Sequence, residues 1–192
     1  MDLRETDNDQ DLSRRREEIA GAVRASLFVA LITVGSYIVI PLPFSPVPIA
    51  LQSGFVILAG LLLTGRWAVG SVAVYLLLGA LGLPLFAGGT GGLGHLLGPT
   101  GGYLLGYLPA VMVTSLIAGD SLLRRVLAGT TGSLVVYCVG VPWLALVQGL
   151  TPAQAVSFGM LPFLPGDALK VIAAALLAGS ARSLLQSRRT HA

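Results

Sequence analysis

Apart from one acid and one base, the charges of this chain fall at its ends and in two short breaks, which leaves long runs with none at all. Of its 12 basic and 9 acidic residues, twelve fall between residues 2 and 24. Arg66 stands alone, Asp120, Arg124 and Arg125 form a group, and Arg182, Arg188 and Arg189 close the chain. Asp167 and Lys170 are the only charged residues outside those zones. A membrane-spanning helix needs ~20 mostly apolar residues, about 17 to 25 in practice. The stretch from 19 to 181 offers six such windows, near 19–40, 49–64, 67–86, 103–118, 126–147 and 165–181. With 54% hydrophobic residues, 11% charged and a mean hydropathy of +0.82, the composition excludes an ordinary soluble domain. The expectation is an all-α integral membrane protein: a mobile cytoplasmic tail over 1–18, a six-helix membrane domain over 19–181, and a cytoplasmic tail over 182–192.

Orientation follows from the same map. Connections 41–48, 87–102 and 148–164 carry no Lys or Arg, whereas the basic residues of the loops and tails lie on the opposite side. The positive-inside rule makes that side the cytoplasm, so both termini are cytoplasmic and the number of spans is even. The acidic, polar and then basic start lacks a cleavage-site pattern and does not read as a signal peptide. Its Arg14, Arg15 and Arg16 suit anionic lipid headgroups or serve as topology determinants. The net charge of +3 reflects these helix edges. Basic residues do not alternate with aromatics on one face, so nucleic acid is not an expected partner. Cys138, the single cysteine, falls inside the fifth window and excludes a disulfide within the chain.

Three uncharged connections are irregular by composition. Residues 86–103, FAGGTGGLGHLLGPTGGY, hold eight glycines and one proline in 18 positions. Each interior glycine weakens a helix by ~1 kcal/mol relative to alanine, so this segment reads as a loop or a re-entrant hairpin. It is longer than a bare turn requires and retains Leu93, Leu96 and Leu97, which points to packing into the protein and to a ligand-lining role. Gly89, Gly91 and Gly94 spell GxGxxG, but a dinucleotide fingerprint needs a strand before it and an acidic residue about 20 positions on. Its flanks here are membrane helices, and the next acid is Asp120. The second connection, PLPFSPVPIALQ, places four prolines before Gln52 and predicts a stiff, extended segment. Gln52 is then expected one turn into the second span, where its amide bonds another helix or a ligand.

The third connection runs into LPFLPGDALK. Pro162 and Pro165 interrupt helix, so Asp167 is expected at the start of the last span, where it suits an N-cap with Lys170 as its i,i+3 partner. That reading leaves Lys170 unexplained. A cation in the first turn opposes the helix dipole, and an ionisable group in a span costs at least ~2.5 to 3.5 kcal/mol at the helix centre. The pair therefore reads as one wall of an outward-facing pocket for a small, largely apolar ligand, with a donor group for Asp167 and an anionic or acceptor group for Lys170. No nucleophile triad or metal-ligand cluster accompanies it, so an enzyme, a cofactor and a metal are not expected. His95 reads as a backbone hydrogen-bonder or a surface residue.

PLPFSPVPIALQ, GLPLFAGGTGGLGHLLGPTGGYLLGY and FLPGDALK together resemble the BioY family, the substrate-binding S component of energy-coupling-factor biotin transporters. The similarity runs from about Ser26 to Ala178. It implies a six-helix S-component bundle in a bacterial or archaeal plasma membrane, with biotin bound near the outer face. Asp167 and Lys170 match the family's polar pair, Gly88, Gly89 and Thr90 its ligand-covering glycine loop, and Tyr103 the residue closing that string. Asp167 suits the ureido N–H groups of biotin, while Lys170 is left between the ureido oxygen and the carboxylate. The resemblance also implies a transmembrane coupling subunit and two ATPase subunits. Ala22, Ser26 and Ala30 form a small-residue stripe that serves either docking to that subunit or packing within the chain. The competing reading is a stand-alone or ion-coupled carrier with Asp167 as its coupling site.

Overall fold

A helix occupies each of the six apolar windows, but the helices are not equal in length. The computed structural model describes the backbone over residues 3–189 and the side chains of residues 10–183. The order is α1 (Leu3–Tyr37), β1 (Val39–Ile40), β2 (Ile49–Ala50), α2 (Gln52–Leu62), α3 (Gly65–Ala80), α4 (Leu93–Leu97), α5 (Gly101–Ile117), α6 (Leu122–Gln148), α7 (Pro152–Gly159) and α8 (Leu164–Arg189). Three stretches are long and apolar enough to cross a membrane: Gln10–Tyr37, Leu122–Gln148 and Leu164–Ser183. The other three apolar helices are shorter. The 11 residues of α2 rise only ~16 Å, about half of a ~30 Å hydrocarbon core.

Helix α2 tolerates that shortness because it is enclosed. It packs against α1, α5, α6 and α8, and Val56, Ala59 and Leu61 on it are almost fully buried. The long helices instead turn apolar side chains outward, with Leu146 82% and Leu169 70% exposed. This inversion, apolar outside as well as inside, is what a lipid solvent permits. Cys138 lies on that exposed surface. Helices α5 and α6 form the most extensive pair. A Cβ at Gly140 of α6 would overlap the Tyr103 ring of α5, so the missing side chain is what lets that ring approach.

The structure revises several expectations about the connections. Residues 3–18, expected as a mobile cytoplasmic tail, are helical and continue α1 into the first window without a break. Helix α8 likewise runs on to Arg189. The proline-rich segment is bracketed by a short antiparallel pair, β1 with β2, in which Val39 lies opposite Ala50 and Ile40 opposite Ile49. The prolines occupy the loop between the strands, where no ladder donor is required of them. Leu51 bonds back to Ile38 O at 3.0 Å, so α2 starts at Gln52 itself and not a turn earlier. The 148–164 connection contains α7, started by a capping box in which Thr151 and Gln154 satisfy each other's backbone donors.

These connections gather at one end of the bundle. At the other end Arg182 donates to Asp120 Oδ1 at 2.9 Å and to Leu61 O at 2.6 Å, tying α8 to the end of α2 and to the turn before α6.

Candidate functional site

Asp167 lies in the first turn of α8, yet it does not cap the helix. Its own N–H already bonds Phe163 O at 2.9 Å, so helical bonding begins before it and its carboxylate is free to turn inward. Lys170 donates to Asp167 Oδ1 at 3.0 Å and to Ser53 Oγ at 3.0 Å. Tyr137 of α6 donates to Asp167 Oδ2. The lysine stem lies against Gly54 of α2, where a Cβ would sit 3.4 Å from the lysine Cβ. The two side chains are only 10% and 18% exposed. A pair this desolvated is sustained by its extra hydrogen bonds as much as by mutual attraction.

The pair forms one wall of a pocket that opens to the surface. Gln52 and Ser53 of α2, Tyr103 and Tyr107 of α5, Tyr137 of α6 and Phe163 before α8 supply most of the remaining wall, and Val47 and Pro48 border it from the strand loop. Gln52 makes the interhelical bonds that its amide demands. It bonds the Tyr107 hydroxyl at 2.9 Å and the Tyr75 hydroxyl at 3.1 Å, joining α2, α3 and α5, and it also faces the pocket. Tyr103 presents its ring to the pocket and donates to Gly159 O at 2.8 Å, fixing the end of α7.

The glycine-rich segment reaches the pocket by other residues than those expected. Gly88 and Gly89 both have φ of +73°, the left-handed region that residues with a Cβ avoid, and the chain reverses tightly so that Phe86 pairs with Thr90. Gly89 packs on the Tyr37 ring of α1, and Gly88 N–H bonds Ser36 O at 2.9 Å. Thr90 is exposed and its hydroxyl donates to Ala87 O at 3.0 Å. None of the three lines the pocket, because the turn directs them at α1 and at the segment itself. Ala87, His95 and Thr100 line it instead. His95 is therefore part of the wall and not a surface residue, and partial burial holds its imidazole below the ordinary range.

Gln52, Tyr103, Asp167 and Lys170 thus share one pocket wall with Ser53, Tyr107 and Tyr137, which were not singled out, and with His95, which was read only as a backbone hydrogen-bonder or a surface residue. Tyr107 and Tyr137 read in the sequence as ordinary aromatics of a span. The one available signal was periodicity: Tyr103 and Tyr107 are four apart and share a helix face. Tyr137 had no such signal, since its partner lies 30 residues away.

Removing one charge of the pair leaves the other desolvated. Lys170→Met is expected to destabilise the protein by about 3 kcal/mol, less where water enters the pocket, and adding Asp167→Asn to it is expected to restore part of that loss. Thermal unfolding of the single and double variants in detergent checks this. A double variant less stable than Lys170→Met alone contradicts the pairing.

Comparison with known proteins places this geometry. The model of the BioY family matches residues 8–187. A probable biotin transporter BioY of Pyrococcus horikoshii is 42% identical over 153 residues, covering 80% of this chain and 90% of that protein. The biotin transporter BioY of Rhodobacter capsulatus is 43% identical over 181 residues, covering 84% and 91%. In three dimensions the chain is similar to the S-component for biotin from an ECF-type ABC transporter, known from a crystal structure at 2.1 Å. The TM-score is 0.81 at 27% identity, over 88% of this chain and 93% of that one. With a match across nearly its whole length, and with the strand loop, glycine-rich segment and charged pair arranged around one pocket, this chain belongs to the BioY family.

Proposed function

We propose that this protein captures biotin at the outer face of the membrane and delivers it inward as the S component of an energy-coupling-factor transporter. The observation that carries the reading is the state of the Asp167–Lys170 pair. A carboxylate offers about four lone-pair sites, and Lys170 and Tyr137 take up two of them. The others suit the two ureido N–H groups of biotin. Lys170 has three donors and uses two, on Asp167 and Ser53, which leaves one for the ureido oxygen or the valerate carboxylate. The aromatic wall of Tyr103, Tyr137 and Phe163 suits the bicyclic ring. The ion-coupled alternative is less well supported, because the Lys170 ammonium stands where a coupling cation would meet Asp167.

Equilibrium binding of radiolabelled biotin to the purified chain tests this directly. Asp167→Asn is expected to weaken binding by at least about tenfold through loss of charge-assisted hydrogen bonds. Biotin bound equally well by wild type and variant would exclude the assignment.

Six helices crossing the membrane with both termini cytoplasmic remain our reading of the topology, supported by the charge asymmetry between the pocket end and the Arg182 end. In a Cys138→Ser background, a cysteine at Thr90 is expected to react with a membrane-impermeant thiol reagent from outside intact cells. Labelling only after the cells are opened would reverse the orientation.

Energy is expected from a transmembrane coupling subunit carrying two ATPase subunits. Ala22, Ser26 and Ala30 are all exposed on α1, which favours docking over packing within the chain. Ala22→Trp and Ala30→Trp are expected to abolish uptake in cells that hold the coupling module while leaving biotin binding by the purified chain intact. Unchanged uptake would remove this stripe from the interface.

A further inference from the structure

His95 is tied at both ring nitrogens, and the ties lead to opposite ends of the glycine-rich segment. Nδ1 lies 3.1 Å from Thr90 Oγ1, and Nε2 lies 3.0 Å from Thr100 Oγ1. The Thr90 hydroxyl donates its proton to Ala87 O, so toward the ring it can only accept. The ring proton therefore resides on Nδ1, and Nε2 accepts from Thr100. The same ring stacks on Phe86, with centroids 5.4 Å apart and an interplanar angle of 26°. Phe86 is fully buried and meets Tyr75 edge-on. One neutral imidazole thus joins the 86–90 turn, the threonine preceding α5 and the core of the bundle, while its edge borders the pocket.

We propose that His95 is a positioning residue of the ligand pocket: as a neutral imidazole it holds the glycine-rich segment against the pocket mouth, and a second ring proton loosens that hold and speeds ligand escape. The proposal rests on reading the pocket as a biotin site. Protonation turns both ring nitrogens into donors, so the Thr100 hydroxyl loses its acceptor. It also adds a cation to a wall that already contains the Lys170 ammonium. The Asp167 charge is already balanced by Lys170, so the added proton leaves the wall with a net positive charge. The other ionisable groups of the wall, Tyr103, Tyr107 and Tyr137, are phenols, and Tyr37 beneath Gly89 donates to Pro84 O at 2.6 Å.

The direction of the pH dependence follows from burial. The imidazole of the closed segment titrates below that of an opened, solvated one. The closed state is therefore fully favoured above the ordinary imidazole range and loses its advantage as pH falls through about 6.5. A single proton limits the effect to about tenfold per pH unit.

The test is dissociation of radiolabelled biotin from the purified full chain between pH 5 and 8. Wild type is expected to release biotin faster below about pH 6.5, and His95→Gln, which cannot titrate, to lack that increment. His95→Leu is expected to dissociate about tenfold faster than wild type at pH 7.5, having lost two hydrogen bonds. Thr100→Val, which removes one tie and leaves the histidine, serves the same purpose if His95→Leu does not fold. Identical pH profiles for wild type and His95→Gln overturn the proposal, as does wild-type release from the folded Leu or Val variant at pH 7.5. A wild-type chain that binds no biotin at any pH overturns the biotin reading instead.

Discussion

One desolvated ion pair organises the pocket end of this bundle. In a low-dielectric setting neither Asp167 nor Lys170 is tolerable without partners, and the partners come from different helices: Ser53 from α2 and Tyr137 from α6. Satisfying the pair therefore fixes how α2, α6 and α8 approach one another. Gly54 contributes by leaving room for the lysine stem. The arrangement retains hydrogen-bonding capacity toward the pocket.

A second set of bonds connects the pocket floor to its cover. Gln52 meets Tyr107 and Tyr75, and Tyr75 also donates to Leu85 O at 3.0 Å, immediately before the glycine-rich turn. Phe86 then stacks on His95, whose ring reaches Thr90 and Thr100. The cover is largely irregular in backbone yet tied to the bundle by main-chain bonds, Gly88 N–H to Ser36 O and Gly92 N–H to Gly79 O. That is the condition under which non-helical backbone survives at membrane depth. Its glycines serve conformation: they permit a turn tight enough to return Phe86 and His95 toward the core.

How much could be read beforehand depended on whether the signal was local. The apolar windows, the exceptional position of Asp167 and Lys170, and the polar demand of Gln52 are properties of short stretches. Each was legible because a membrane penalises every unpaired charge or amide wherever it falls. Helix lengths were less legible, since α2 is as apolar as a spanning helix while lying inside a protein environment. The strand pair around the proline loop was hidden by two-residue strands, too short to show a period. His95 was misread because a lone histidine among glycines carries no indication of what will surround it.

By itself, then, the sequence determined membrane residence, the placement of the helices, the family and the charged pair at the start of the last helix, because these follow from solvation costs summed over contiguous residues. The tertiary structure decided which residues form the pocket wall. Tyr137 meets Asp167 across 30 residues, and Lys170 meets Ser53 across 117. It also turned Gly88, Gly89 and Thr90 away from the cavity and His95 toward it. Those outcomes depend on the left-handed turn and on the packing of Phe86, interactions between segments whose partners only the folded bundle brings within reach.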